Sequence, residues 1–172
     1  MAVSGKVISG GILGITAAFG IGVYYAQVYG YYETFSQGEV ALTSVVSGEP
    51  TRIPVTEFEG IDADSSPIRY RACFKTPLST AMLTETFTTL ERSEPRNAPD
   101  WFGCFDAAQI PADIDAGIAT AYLGAANLEF GIDRIVAIYD DGRGFVWHQI
   151  NDCGDKLYDG SQASDDCPER DQ

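Results

Sequence analysis

The chain has 172 residues, with 11 basic against 25 acidic side chains and a formal net charge of −14. Lys6 is the only basic residue before Arg52, so ten basic and all 25 acidic residues follow the first apolar segment. A surface of that sign repels phosphate backbones and anionic headgroups, which excludes nucleic acid as a partner and electrostatic adhesion to anionic lipid. It attracts basic partners, of which the lysine-rimmed face of an electron-carrier protein is one kind.

From Val7 to Tyr32 the chain runs 26 residues without a charge. About 20 apolar residues span the roughly 30 Å hydrocarbon core as a helix, so the segment is long enough to cross a lipid bilayer. Its length, and the bulky Tyr24-Tyr25 where a cleavage site needs a small residue, favour an uncleaved signal anchor over a signal peptide. Small residues recur at every fourth position: Gly10, Gly14, Ala18, Gly22, Ala26 and Gly30. Four residues turn an ideal helix by about 400°, so the stripe drifts about 40° per step and one partner helix meets only part of it. The expected packing patch is Gly10, Gly14, Ala18 and Gly22, against a larger integral membrane protein. Tyr24, Tyr25, Tyr29, Tyr31 and Tyr32 crowd the far end, where aromatic belts fix the depth of a helix at the headgroups. Lys6 before the span and Glu33 and Glu39 after it place the N-terminus in the cytoplasm and the remainder outside. The organisation that follows is an anchor over 1–33, a short linker over 34–39 and one domain over 40–172.

Within the domain, Val40 to Val46 and Arg52 to Phe58 read as strands separated by the turn Ser47-Gly48-Glu49-Pro50. Gly60 to Pro67 reads as a loop. Ile68, Tyr70, Ala72 and Phe74 then alternate with Arg69, Arg71, Cys73 and Lys75, the period of a half-buried strand. Leu78 to Leu90 is threonine-rich yet has helical spacing, and Arg92 to Pro99 is loop-like. A helix is expected from Ile110-Pro111 to Leu123, with Ile114, Ile118 and Tyr122 on its apolar face and Asp113 and Asp115 near its positive end. Arg134 to Tyr139 and Phe145 to Ile150 form a hairpin across a five-residue link, Asp140-Asp141-Gly142-Arg143-Gly144. An acidic, loop-rich tail follows from Asp152. The fold class is α+β: one transmembrane helix, then a small disulfide-stapled domain with an antiparallel sheet and one or two helices.

Four cysteines, all after the span, fit an oxidising compartment. The loop-like stretch between Cys153 and Cys167 favours their pairing, which leaves Cys73 with Cys104. With no C-x-x-C pair and a single histidine, no metal site and no cofactor are expected. Asp62, Asp64 and Ser65 have the spacing of calcium ligands, but Pro67 stands where that loop needs glycine. They read as turn residues. His148 is the one candidate general base. It lies in mid-strand with no nucleophile elbow anywhere, so it reads as a packed or surface-strand histidine and the chain as a non-enzyme.

The stretches 60–74, 101–105 and 141–151 resemble an uncharacterised family of short membrane-anchored proteins of Rhodobacter-type alphaproteobacteria, and the resemblance covers most of the chain. It implies a Gram-negative inner membrane and a periplasmic domain, and it brings no catalytic residue. The expected role is an accessory subunit or assembly factor of a respiratory or photosynthetic inner-membrane complex. The alternative is a membrane-tethered periplasmic module that binds or senses a ligand.

Overall fold

The computed structural model describes residues 4–91, 93–158, 160–161, 164 and 167–168. Arg92 of the expected loop, the first three residues of the anchor and part of the acidic tail lie outside them. The chain divides into two units, Met1–Tyr32 and Glu33–Gln172.

No charge beyond Lys6 and no proline interrupts the first unit, and helix α1 occupies Gly5–Tyr25. It continues through Ala26–Gly30 as a single wider turn of π type. The most apolar 18-residue window of these 26 residues has a mean hydropathy of 1.8, no residue of the helix is buried, and it is long and apolar enough to cross a membrane. At 1.5 Å per residue the helix is about 39 Å long, more than the bilayer core requires.

Among the described residues the second unit has nine strands and two short α-helices. They are β1 (Glu33–Phe35), β2 (Val40–Thr43), β3 (Pro50–Ile53), β4 (Thr56–Asp62), β5 (Arg71–Lys75), α2 (Thr80–Thr86), β6 (Thr89–Leu90), α3 (Gln109–Asp115), β7 (Ala119–Glu129), β8 (Ile132–Tyr139) and β9 (Arg143–Ile150). Seven strands form one antiparallel sheet in the order β1-β4-β5-β9-β8-β7-β6, and β2 and β3 pair as a separate hairpin. The expected α+β domain with an antiparallel sheet is therefore present.

Both faces of the sheet are covered. Val40, Leu42 and Ile53 from the β2–β3 hairpin and Leu83 from α2 join Ala72, Val136, Ile138 and Val146 in the main core. On the opposite face the segment before β7 supplies Phe102, Phe105 and Ile110, all buried. The Phe105 ring packs edge-on to Phe145 and Trp147 at centroid distances of 6.0 and 6.3 Å. The Cys73–Cys104 disulfide ties this covering segment to β5, and Cys153–Cys167 closes the loop after β9. Both pairings are those expected.

Several boundaries differ from expectation, each for a physical reason. Residues 34–39 do not start as a linker, because Glu33–Phe35 pairs with Asp62, Ile61 and Gly60 at the sheet edge. The first hairpin strand stops at Thr43, where Ser44–Gly48 forms a tight turn with Gly48 in the left-handed region, φ 72°. Arg52 to Phe58 is two strands, broken around Pro54, and Gly60–Asp62 belongs to β4 rather than to a loop. The alternating stretch enters the sheet only at Arg71, since Pro67–Arg69 forms a 3-10 turn. Its first four residues are buried on both faces, so it is an interior strand and not a half-buried one. The ambiguous stretch 78–90 divides into α2, capped by Ser79, and β6.

The largest correction falls on residues 110–123. The helix ends at Asp115, and Tyr122 lies in β7 opposite Val136. Gly117 has φ 71°, the Gly117 amide donates to Ile114 and the Ile118 amide donates to Asp113. This pair of bonds is a Schellman stop, which glycine makes with no steric cost. Ile118 is exposed, and Asp113 and Asp115 sit in the last turn instead of the first. The β8–β9 link is also shorter than five residues: Arg143 and Gly144 belong to β9, and Gly142 (φ 84°) closes a three-residue loop.

Candidate functional site

Register carries three groups to one end of the sheet. On β8 and β9, Arg134 lies directly opposite His148. Tyr70, just before β5, stacks its ring on the imidazole at a centroid distance of 4.7 Å and an interplanar angle of 13°. The Arg134 guanidinium lies 4.8 Å over the same tyrosine ring, and Arg134 Nε donates to His148 Nε2 at 3.0 Å. The other ring nitrogen, Nδ1, meets the Pro67 carbonyl at 2.6 Å. A carbonyl only accepts, so Nδ1 carries the proton and Nε2 offers its lone pair to Arg134. The imidazole is thereby held neutral, in one tautomer.

Burial pushes the His148 pKa below its ordinary value, and the Arg134 and Arg71 guanidiniums add to that. The Pro67 carbonyl and Asp62 oppose it. Burial also raises the Tyr70 hydroxyl, against the pull of Arg134. Neither ring nitrogen is free to take a proton from a substrate, so His148 is a poor general base, and its packed position agrees with that expected from sequence.

His148 forms one wall of a cleft of about 400 Å³ that the turn after β4 and the β7–β8 hairpin complete. Asp62, Asp64 and Glu129 bring carboxylates to it, and Pro67, Leu128 and Ile132 bring apolar surface. Asp62, the last residue of β4, also accepts the Ala63 amide at 2.8 Å, and Asp64 lies in the turn that follows. Among the described residues no group of three or more histidine, cysteine or acidic side chains is placed to hold a metal ion.

Behind the cleft a polar network joins the β7–β8 hairpin to the disulfide loop. The Asn151 amide donates to Asn127 Oδ1 (3.0 Å) and Asp133 Oδ1 (2.7 Å), and its oxygen accepts the Cys153 and Gly154 amides. Asn127, at φ 47°, is held by a bond from its own amide to Asp133. On the opposite face, Arg71 is buried and donates to the carbonyls of Arg96, Ile68 and Tyr70 at 2.7–2.8 Å. Sequence reading singled out His148 but missed Arg134, Tyr70 and Asn151. Counting outward from the Gly142 turn in steps of two places Arg134 opposite His148, a signal that depends on the loop length.

The other expected site residues lie on the first unit. Gly10, Gly14, Ala18 and Gly22 are all exposed, and a Cβ added at any of these three glycines meets nothing within 4 Å. Tyr24, Tyr25, Tyr29 and Tyr31 are exposed, and Tyr25 and Tyr29 stack one helical turn apart at 5.7 Å.

A family model described as a family of unknown function (DUF6446) matches residues 40–168, and the chain belongs to that family. Neither the comparison with curated proteins nor that with solved structures gives a match.

Proposed function

We propose that this protein is a non-catalytic accessory subunit or assembly factor of an inner-membrane electron-transfer complex, respiratory or photosynthetic. In this reading the N-terminus is cytoplasmic and the domain periplasmic. The observation that carries it is the helix Gly5–Gly30, uncharged beyond Lys6, with no buried residue and with small residues at Gly10, Gly14, Ala18 and Gly22 open to a neighbour. Lipid covers most of such a surface, and the small-residue patch admits the close approach of another helix. The acidic surface adds a docking preference for a basic electron carrier.

Purification of the full chain from native membranes in mild detergent tests this reading. A stoichiometric membrane subunit is expected to come with it, and recovery of the chain alone overturns the proposal. The cleft beside His148 favours a second reading, a membrane-tethered sensing module. That reading expects a small molecule to raise the melting temperature of the detergent-solubilised chain, whether or not a partner co-purifies.

A further inference from the structure

One continuous train of contacts runs from His148 to the strand that follows the apolar helix. His148 stacks on Tyr70, and Tyr70 meets the Phe35 ring at 5.9 Å. Phe35 lies on β1, stacks on Phe58 at 6.0 Å, and covers Gly60 so closely that a methyl group there would overlap its ring. β1 itself is three residues long and pairs with β4 alone, at the sheet edge. Its pairing with β4 and the packing of Phe35 hold it, and short edge elements of this kind open first.

The other end of the train depends on protonation by its geometry. Arg134 Nε donates to His148 Nε2, and Nδ1 already bonds to the Pro67 carbonyl. A proton on Nε2 turns an acceptor into a donor that points at another donor, and sets two cations side by side. The groups facing the imidazole are Arg134 from β8 and the Tyr70 ring, while the charges of Asp62 on β4 and of Arg71, on the opposite face of the sheet, act on it from farther away. Asp64 and Glu129 lie on the same cleft. Asp62 favours the protonated ring, while Arg134, Arg71 and burial disfavour it.

We propose that this train is an acid-sensitive latch: protonation of His148 displaces Arg134, loosens the Tyr70–Phe35 contact, and frees β1, the strand that joins the domain to the apolar helix. At neutral pH β1 is held at the edge of the sheet, and acid makes that attachment slack. The latch operates whatever partner or ligand the protein has, so its failure leaves the proposed function untouched.

Hydrogen exchange of the full chain in detergent tests it, read in steps from about pH 7.5 to about pH 5, across the ordinary histidine pKa of about 6.5. Rates are corrected for intrinsic exchange. The amides of β1 are expected to lose protection severalfold in acid, since a proton binds the opened state more readily than the closed one, while β8 and β9 keep theirs. In His148→Gln, which keeps an acceptor for Arg134 and does not titrate there, β1 protection is expected to stay flat. Asp62→Asn, which removes the carboxylate that favours the charged ring, is expected to move the wild-type midpoint to lower pH. Any of four results overturns the latch: β1 protection independent of pH, equal loss across β8 and β9, the same acid loss in His148→Gln, or an unmoved midpoint in Asp62→Asn.

Discussion

At the scale of single residues, small side chains and amides decide more here than charges do. Three ion pairs, Arg52–Glu39, Lys75–Glu57 and Arg143–Asp141, are exposed, and such pairs contribute about 0–1 kcal/mol each. Arg143 does hold the Asp141 carboxyl below its ordinary pKa through a side-chain hydrogen bond. By contrast Gly38, Gly60 and Gly144 each lie flat under a phenylalanine ring, those of Phe58, Phe35 and Phe74, and a Cβ at any of them would overlap that ring. Gly60→Ala is therefore expected to lower stability by about 1–3 kcal/mol, the usual cost of overpacking, as measured by denaturant unfolding. Asn151 uses both donor and acceptor atoms of its side chain on four described partners. Asn151→Ala leaves those groups unpaired and should cost about 1–3 kcal/mol, whereas Asn151→Asp should lose the two donated bonds and set its charge beside Asp133.

The latch histidine has a consequence for overall stability as well. Its folded pKa lies below the ordinary value, so on acidification the unfolded chain takes up the proton first. The stability this neutral imidazole contributes is complete above the ordinary histidine pKa and is lost as pH falls from there through the folded value. Thermal unfolding of His148→Gln should accordingly show a shallower acid decline than the wild type.

At the scale of elements, the sheet is legible where local chemistry is strong and obscure where pairing partners are distant. The β8–β9 hairpin announces itself through two apolar β-branched runs around a D-G turn, and only its loop length needed the structure, because Gly142 sets the closure. The stretch 119–123 is alanine-rich with apolar residues four apart, so its local pattern is helical. It becomes a strand because Gly117 stops α3 and because β6 and β8 flank it on both sides. Tyr122 then fills the main core instead of lying on a helix face. The Cys73–Cys104 bond spans 31 residues and pins the aromatic cover over Trp147. Cys73→Ser with Cys104→Ser is expected to cost about 3–4 kcal/mol, the loop-closure entropy of a span of that size, and to expose Phe105. A drop in midpoint with a steeper denaturant slope, because the unfolded chain without the bridge is less compact, checks it.

At the scale of the whole molecule, the two units pose different physical problems. The helix Gly5–Gly30 has no buried residue and is long and apolar enough to cross a membrane, and in the proposed reading its partners are lipid and another helix. Gly14→Leu should leave the chain in the membrane fraction while reducing recovery of a co-purifying subunit severalfold. A fall in membrane association itself would show that Gly14 serves insertion. The domain fills both sides of its sheet and carries all the net negative charge, with its cysteines oxidised, which suits an oxidising compartment outside the cytoplasm.

The long uncharged run, the turn glycines and the spacing of cysteines needed no tertiary information, since each reflects the chemistry of neighbouring residues. Those signals were enough for the membrane-spanning length, the α+β class and both disulfides. The strand at 119–129, the docking of β1 at the sheet edge and the Arg134–His148–Tyr70–Phe35 train were decided by the folded structure. Each depends on a partner tens of residues away, and hydrogen-bond pairing and burial across that distance override local preference.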